Sequence, residues 1–312
     1  MDDVAPARAE RRSLVDAPVR VVSARAPLLT RLRNLTSRRE LLTGFIVSDI
    51  RIKYKGSALG LLWSMISPAL TLVVYFMVFS VVLKSGIPNF VIYLACGLVV
   101  WNMFQTAVSS ATGVIVERSG LVKKVSFPRE ILALSNVGSS VIYFGIQLLV
   151  IAIFLAIIKH APAWGDLWLL PISFVALYLL TASVAIVMSA VTVYLRDVKH
   201  LMDVVLQLWF WLTPVVYSYE HSISAPLHRH GLTWLYFLNP LTLIVLTFQR
   251  VIYVQTSALS TTQKGLVIHV LPTWPIGTYL DLNLLLIGIA AVLFLVAETI
   301  FGRLEGNFES EL

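Results

Sequence analysis

From about residue 61 onward the chain is a succession of long apolar runs joined by short polar links. A helix that crosses a membrane needs about 20 predominantly apolar residues. Six runs meet or approach that length, at about 61–83, 90–115, 131–158, 167–195, 201–217 and 282–301. Pro68 falls in the first third of the first run, where a missing backbone donor favours a kink. The second run carries small and polar residues from Gln105 to Gly113. That composition lets helices approach closely and predicts a span facing protein more than lipid. Between the fifth and sixth runs, 218–281 holds a further apolar stretch, WLYFLNPLTLIVLTFQRVIYV. Asn239-Pro240 breaks it, because proline removes a donor and disfavours helix just before itself. The roughly fourteen residues that follow are too short to cross. The pattern therefore predicts a re-entrant or interfacial helix, since irregular backbone at membrane depth must lie against protein or a water-filled cavity.

Upstream of the first run, 31–60 is expected to form an amphipathic interface helix, with its helical part at about 35–56. Helical spacing places Glu40, Gly44, Ser48, Arg51 and Lys55 on one polar strip. Leu42, Phe45, Ile46 and Ile50 lie opposite, interrupted by Asp49 and Lys53. Gly56 and Gly60 would supply the bend into the first span. Arg51, Lys53 and Lys55 anchor its cytoplasmic end; a solvated helix resting on anionic lipid is the alternative. Residues 1–30 hold scattered prolines, arginines and acids and no long apolar stretch, which predicts a flexible cytoplasmic tail rather than a signal peptide. Residues 302–312 form a second polar tail. The expected fold class is an all-α membrane protein with six transmembrane helices at 61–301.

Composition agrees. Of 312 residues, 58% are hydrophobic and 13% charged, about half the charge of an average soluble domain. Cys96 stands alone, which excludes an intrachain disulfide. The net charge of +7 is unevenly placed: residues 1–60 hold twelve of the 24 Lys and Arg. Basic residues collect on the cytoplasmic side of spans, a better account of the charge than nucleic-acid binding. With six spans and both termini inside, nineteen of the 24 are cytoplasmic, and Lys84, Lys159, Arg229, Arg250 and Lys264 lie outside or at that interface.

Catalytic signatures are missing from the sequence. It contains no GxxxxGK[ST] phosphate loop, no HExxH and no GxSxG. His221, His228 and His230 cluster loosely in an outer loop with no acidic or Cys partner arranged around them, a poor metal site. Asp203 and Glu298 sit near the cytoplasmic ends of their spans, where pairing with Arg or Lys is expected. An ion-driven carrier would keep such groups near the midplane. A transport mechanism powered from outside the chain remains, and it needs cytoplasmic surfaces on which a motor can push. ERSGLVKKVSFPRE (117–130) offers one, with Leu121, Val122, Val125 and Phe127 as apolar teeth. RDVKH (196–200), with Arg196 and Asp197, offers a smaller one. Either could equally be an ordinary cytoplasmic loop.

Several segments in order resemble one family. SDIRIKYKGSALGLLWSMISPAL (48–70), LVKKVSFPREILALS (121–135), YLRDVKHLMDVVLQLWFWLTPVVY (194–217), LNPLTLIVLTFQRVIY (238–253) and FGRLEGNFESEL (301–312) are similar to motifs of permeases of type-2 ABC exporters for bacterial polysaccharides. The resemblance covers about 35–312. It implies a multi-pass permease of the bacterial plasma membrane, working as a homodimer with two copies of a separate ATPase. That ATPase would hold ATP and Mg; this chain would carry no cofactor, catalyse no reaction and bind no nucleic acid. It further implies a coupling helix at about 116–127, with the motor gripping Arg118, Leu121, Lys123 and Lys124, reaching Arg196 and Asp197, and touching Arg51 and Lys55. Substrates of the family are glycans on a polyprenyl-diphosphate lipid, such as O-antigen, capsule, teichoic acid or galactan. Sugars stack on aromatic faces, so Trp63, Tyr75 and Phe76 in the first span, with Trp209, Phe210 and Trp211 in the fifth, are candidates for a substrate path. An interfacial aromatic belt or plain packing is the competing reading. Rival functions are a drug or small-lipid exporter of the same superfamily, a motorless glycosyltransferase or flippase partner, and a structural scaffold.

Overall fold

Prolines and glycines set most of the element boundaries. The structure, a computed structural model, describes residues 31, 33, 35, 37–57, 59–84, 86–255, 257–259 and 267–312. The tail expected at 1–30 lies outside the described residues. Helix α1 spans Arg39–Tyr54 and continues a helical stretch that includes Arg31. Gly56 and Gly60 follow with φ of +78° and +50°. Glycine adopts this left-handed region without the Cβ clash, so the chain turns there into the first long helix. That helix, α2 (Trp63–Phe76), contains Pro68 and winds on as a π-helical stretch, Met77–Val82. Then come α3 (Phe90–Thr112), a single turn at Val114–Glu117, α4 (Ser119–Lys124), α5 (Glu130–Ile157), α6 (Leu169–Tyr194), α7 (Val198–Leu212), α8 (Pro240–Ile252) and α9 (Ile276–Leu304). A final turn, α10, covers Phe308–Glu311.

Among the described residues, five helical stretches are long and apolar enough to cross a membrane: Met65–Val82, Phe90–Thr112, Glu130–Ile157, Leu169–Tyr194 and Ile276–Asn307. The fifth expected span, 201–217, is helical over only part of its length. Helix α7 begins at Val198 and stops at Leu212, because Thr213 precedes Pro214 and takes an extended conformation. At about 1.5 Å per residue, its 15 residues fall short of the roughly 30 Å hydrocarbon layer. Thr213, Pro214, Val215 and Val216 continue as buried, non-helical chain. Their carbonyls are met from neighbouring helices: Gln249 Nε2 donates to Pro214 O at 3.0 Å, and the Tyr93 hydroxyl to Tyr217 O at 2.7 Å. Val215 also packs so close to Gly97 that any Cβ there would meet it at 3.0 Å.

The last long helix starts earlier than the expected 282, directly after Pro275. The all-α expectation is also modified by a short antiparallel hairpin, β1 (Ser257–Leu259) with β2 (Val267–His269). In the region 218–281 the break at Asn239-Pro240 is a helix start. The Asn239 side chain accepts from Leu241 N at 3.1 Å, capping a first turn that begins with proline. Helix α8 runs from beside the end of α7, where Trp209 Nε1 donates to Asn239 Oδ1 at 2.9 Å. It ends near the 84–89 and 158–168 links, where Tyr253 bonds Pro88 O and Ala163 N bonds Val251 O.

Helix α3 is the centre of the bundle, buried along most of its length, whereas no residue in the Met65–Val82 window is buried. Hydroxyls inside the long helices bond back to their own backbone, as Thr181 does to Leu177 O and Thr192 to Met188 O. Such bonds satisfy a polar group where no water competes.

Candidate functional site

The basic links meet at one end of the bundle. Helix α1 lies there across α5, with Ile46 seated against Gly138, where a Cβ would push the Ile46 side chain aside. Asp49 faces inward and pairs with Arg118, which precedes α4. Its second oxygen accepts from Ser135 Oγ at 3.0 Å. The Arg118 guanidinium also covers the Phe45 ring, which in turn packs on Phe127. Arg118 thereby ties α1 to the start of α4. Asp49, which interrupts the apolar side of α1 in the sequence, is its counter-charge.

Other expected contact residues do project. Lys123 and Lys124 are exposed, Leu121 is half-buried and Val122 is buried beneath them. Arg196 and Asp197 are exposed on the second link. The two links are tied together by Lys199 and Glu117 at 2.7 Å. That hydrogen bond raises the Lys199 ammonium above its usual range.

The same end carries a second charged centre. Arg31 lies buried among Glu130 at 3.2 Å, Glu298 at 3.8 Å and Glu305 at 3.1 Å. Its guanidinium sits over Phe301 and against Gly302, where a Cβ would displace it. Glu298 thus has the basic partner expected for it. Asp203 differs: it accepts from Ser109 Oγ at 3.5 Å and faces a cavity.

That cavity, about 770 Å³, opens between α2, α3, α5 and α7. Its walls are mixed. Trp63, Tyr75, Trp101, Tyr143, Phe210 and Trp211 present rings; Tyr75 stacks on Phe210 with centroids 5.6 Å apart. Ser67, Thr71, Asn102, Gln105, Thr106, Ser109, Ser110, Gln147 and Gln207 present donors and acceptors. Lys53 reaches it from α1, its ammonium 4.6 Å from the Tyr143 ring centroid. Of the three basic residues before the first span, Lys53 turns inward, while Arg51 and Lys55 line a separate groove on the outer side of α1.

Four of the six aromatic candidates, Trp63, Tyr75, Phe210 and Trp211, line the cavity. Phe76 and Trp209 do not; both pack on the core, and Trp209 is held by Asn239 and Phe104. Sequence reasoning took the polar residues of the second span as packing contacts. Asn102, Gln105, Thr106 and Ser109 instead recur at i, i+3, i+4 and i+7, a polar stripe down one face of α3. That spacing could have marked them as a wall. Among the described residues, no three His, Cys, Asp or Glu side chains converge as a metal site would require. His228 and His230 are exposed, and the side chain of His221 lies outside the described set.

The features so far define a polytopic helical membrane protein with an internal polar cavity and a ridged, charged face at one end. Residues 43–253 match the family model described as ABC-2 type transporter, and the chain belongs to that family. Among curated relatives, an O-antigen export system permease protein RfbA of Myxococcus xanthus is 29% identical over 222 residues, 71% of this chain and 84% of that protein. A protein of the same name from Klebsiella pneumoniae is 28% identical over 216 residues, 69% of this chain and 81% of its own. The chain is thus a multi-pass membrane permease of a bacterial export system. It is a transport subunit, and permeases of this family pair with ATP-binding subunits that supply the energy.

Proposed function

We propose that this permease exports a glycan carried on a polyprenyl-diphosphate lipid across the bacterial plasma membrane. It does so as a homodimer with two ATP-binding subunits, which hold ATP and Mg. The observation that carries this reading is the cavity between α2, α3, α5 and α7. Rings for stacking alternate there with hydroxyl and amide groups, the combination a sugar chain needs. Lys53 at the basic end provides a charge-assisted contact for a diphosphate. The relatives named for O-antigen export agree with this substrate class.

Six crossings fit the course of the chain. Arg31 touches Glu305, so the two ends of the described chain lie together, and Lys199 touches Glu117 at that same end. With five long helices, the short α7 and the buried chain after it supply the sixth passage. An exposed apolar row on α7, Leu201, Val204, Leu208 and Trp211, is where a second copy would close the cavity. In the cycle proposed here, ATP closes the motors against Lys123, Lys124, Arg196 and Asp197. The Arg118–Asp49 pair carries that motion to α1, and the cavity opens outward.

Depletion of the protein in its host, with mass spectrometry of polyprenyl-linked glycans, tests the reading. A long lipid-linked polymer should accumulate on the cytoplasmic side. An unchanged glycolipid profile would point instead to a drug or small-lipid exporter.

A further inference from the structure

A second cavity lies on the other flank of α2. It is a groove of about 260 Å³, with Leu72 and Val73 on one wall, Ile151 and Phe154 on the other, and Ala95 and Val99 as its floor. Among its lining residues Asn102 and Gln147 alone are polar, and they bond to each other at 3.3 Å. Both also line the large cavity, as do Pro68 and Leu98. The groove and the cavity therefore share one wall: the middle of α2 and an amide rung between α3 and α5.

We infer that the groove holds the isoprenoid chain of the exported lipid while its glycan occupies the polar cavity. This rests on the reading proposed above. A lipid-linked glycan is two solvents' worth of molecule: its sugars need polar partners, and its tail must remain in hydrocarbon. A path for it requires a polar compartment and an apolar one side by side, with a divider the linkage can straddle. The Asn102–Gln147 rung is such a divider, since its amides turn hydrogen-bonding capacity to one side and methylenes to the other. The helix between the compartments is the least embedded of the long ones, and Pro68 at the shared wall leaves one of its carbonyls without a helical donor. Helix α2 is thus the wall that can yield as the linkage passes.

The test uses the full exporter, with its ATP-binding subunits, in host membranes. A photo-reactive amino acid replaces Val150, a half-exposed groove residue. The expected adduct is polyprenyl-linked glycan; adducts with phospholipid alone would overturn the inference and mark the groove as ordinary bilayer contact. In parallel, Ala69→Trp fills the groove, Ser109→Trp fills the polar cavity, and Leu285→Trp, which lines neither, is the control. Each variant is checked for membrane level and for assembly with the ATP-binding subunits. Ala69→Trp and Ser109→Trp should both lose export, with lipid-linked polymer trapped inside, while Leu285→Trp exports normally. Loss with Ser109→Trp but not with Ala69→Trp overturns the groove and leaves the glycan path standing. Normal export from both removes the path as well.

Discussion

Asp49 and Lys53 show how much single residues on one helix decide. In sequence both interrupt the apolar side of α1. In the structure both are the inward contacts: Asp49 holds Arg118 and Ser135, and Lys53 enters the cavity over Tyr143. Helical periodicity assigns residues to faces, but it cannot say what waits across the gap. Asp49→Asn should leave Arg118 without its counter-charge and lower stability by about 2–4 kcal/mol, below the roughly 3–5 kcal/mol for a fully buried pair because Arg118 is partly exposed. Thermal unfolding of the detergent-solubilised protein measures this. The reversed pair, Asp49→Arg with Arg118→Asp, should recover part of the loss. For Lys53 the expectation is chemical. Lys53→Glu should depress export while membrane levels hold, and Lys53→Arg should retain it; equal export from both would remove the diphosphate contact.

At the scale of elements, the apolar runs were legible because bilayer thickness imposes their length. The misplaced boundaries share one cause, polar groups that find partners only in three dimensions. Asn283 looks like a poor spanning residue, yet it is buried, donating to Thr247 Oγ1 and Tyr279 O, so α9 extends back to Ile276. Pro214 ends α7 early, and the buried Pro214 carbonyl, which would otherwise have cost free energy, is met by Gln249 and Tyr93. The cavity was half legible. Ring chemistry and place in a span point to its aromatic residues but do not separate Trp211, on the cavity, from Trp209, on the core. The proposed coupling contact is assigned to α4. Its outward lysines sit on a base fixed by Val122, so Lys123→Glu with Lys124→Glu should leave folding intact and abolish transport-linked ATP hydrolysis by the partner subunit. Export that survives the double change would move the motor contact elsewhere.

For the whole molecule, the conspicuous fact is asymmetry of burial. Helix α3 is enclosed, whereas α2 and one side of α7 present Leu70, Val74, Met77, Leu201, Val204 and Leu208 outward. Lipid and a second copy both satisfy such a surface, and a charge tells them apart. Leu208→Glu should split the homodimer if copies meet there, read as a halved protein mass by light scattering with detergent subtracted. A dimer that persists would place the contact on another face. Elsewhere, Arg31 draws Glu130, Glu298 and Glu305 into one centre. The start of α5 and the end of α9 are thereby fastened to the helical stretch that leads into α1.

The two sides of α1 also bear on descent and engineering. Arg51 and Lys55 look outward, Lys53 and Asp49 inward, so neighbouring positions of one short helix serve different surfaces. A lineage could exchange its cargo by altering the stripe on α3 and the rings on α2 and α7 while the motor-facing surface stayed constant. Chimeras follow the same seam. Grafting the cavity walls of one relative into the frame of another should transfer substrate choice and leave the matching ATP-binding subunit unchanged.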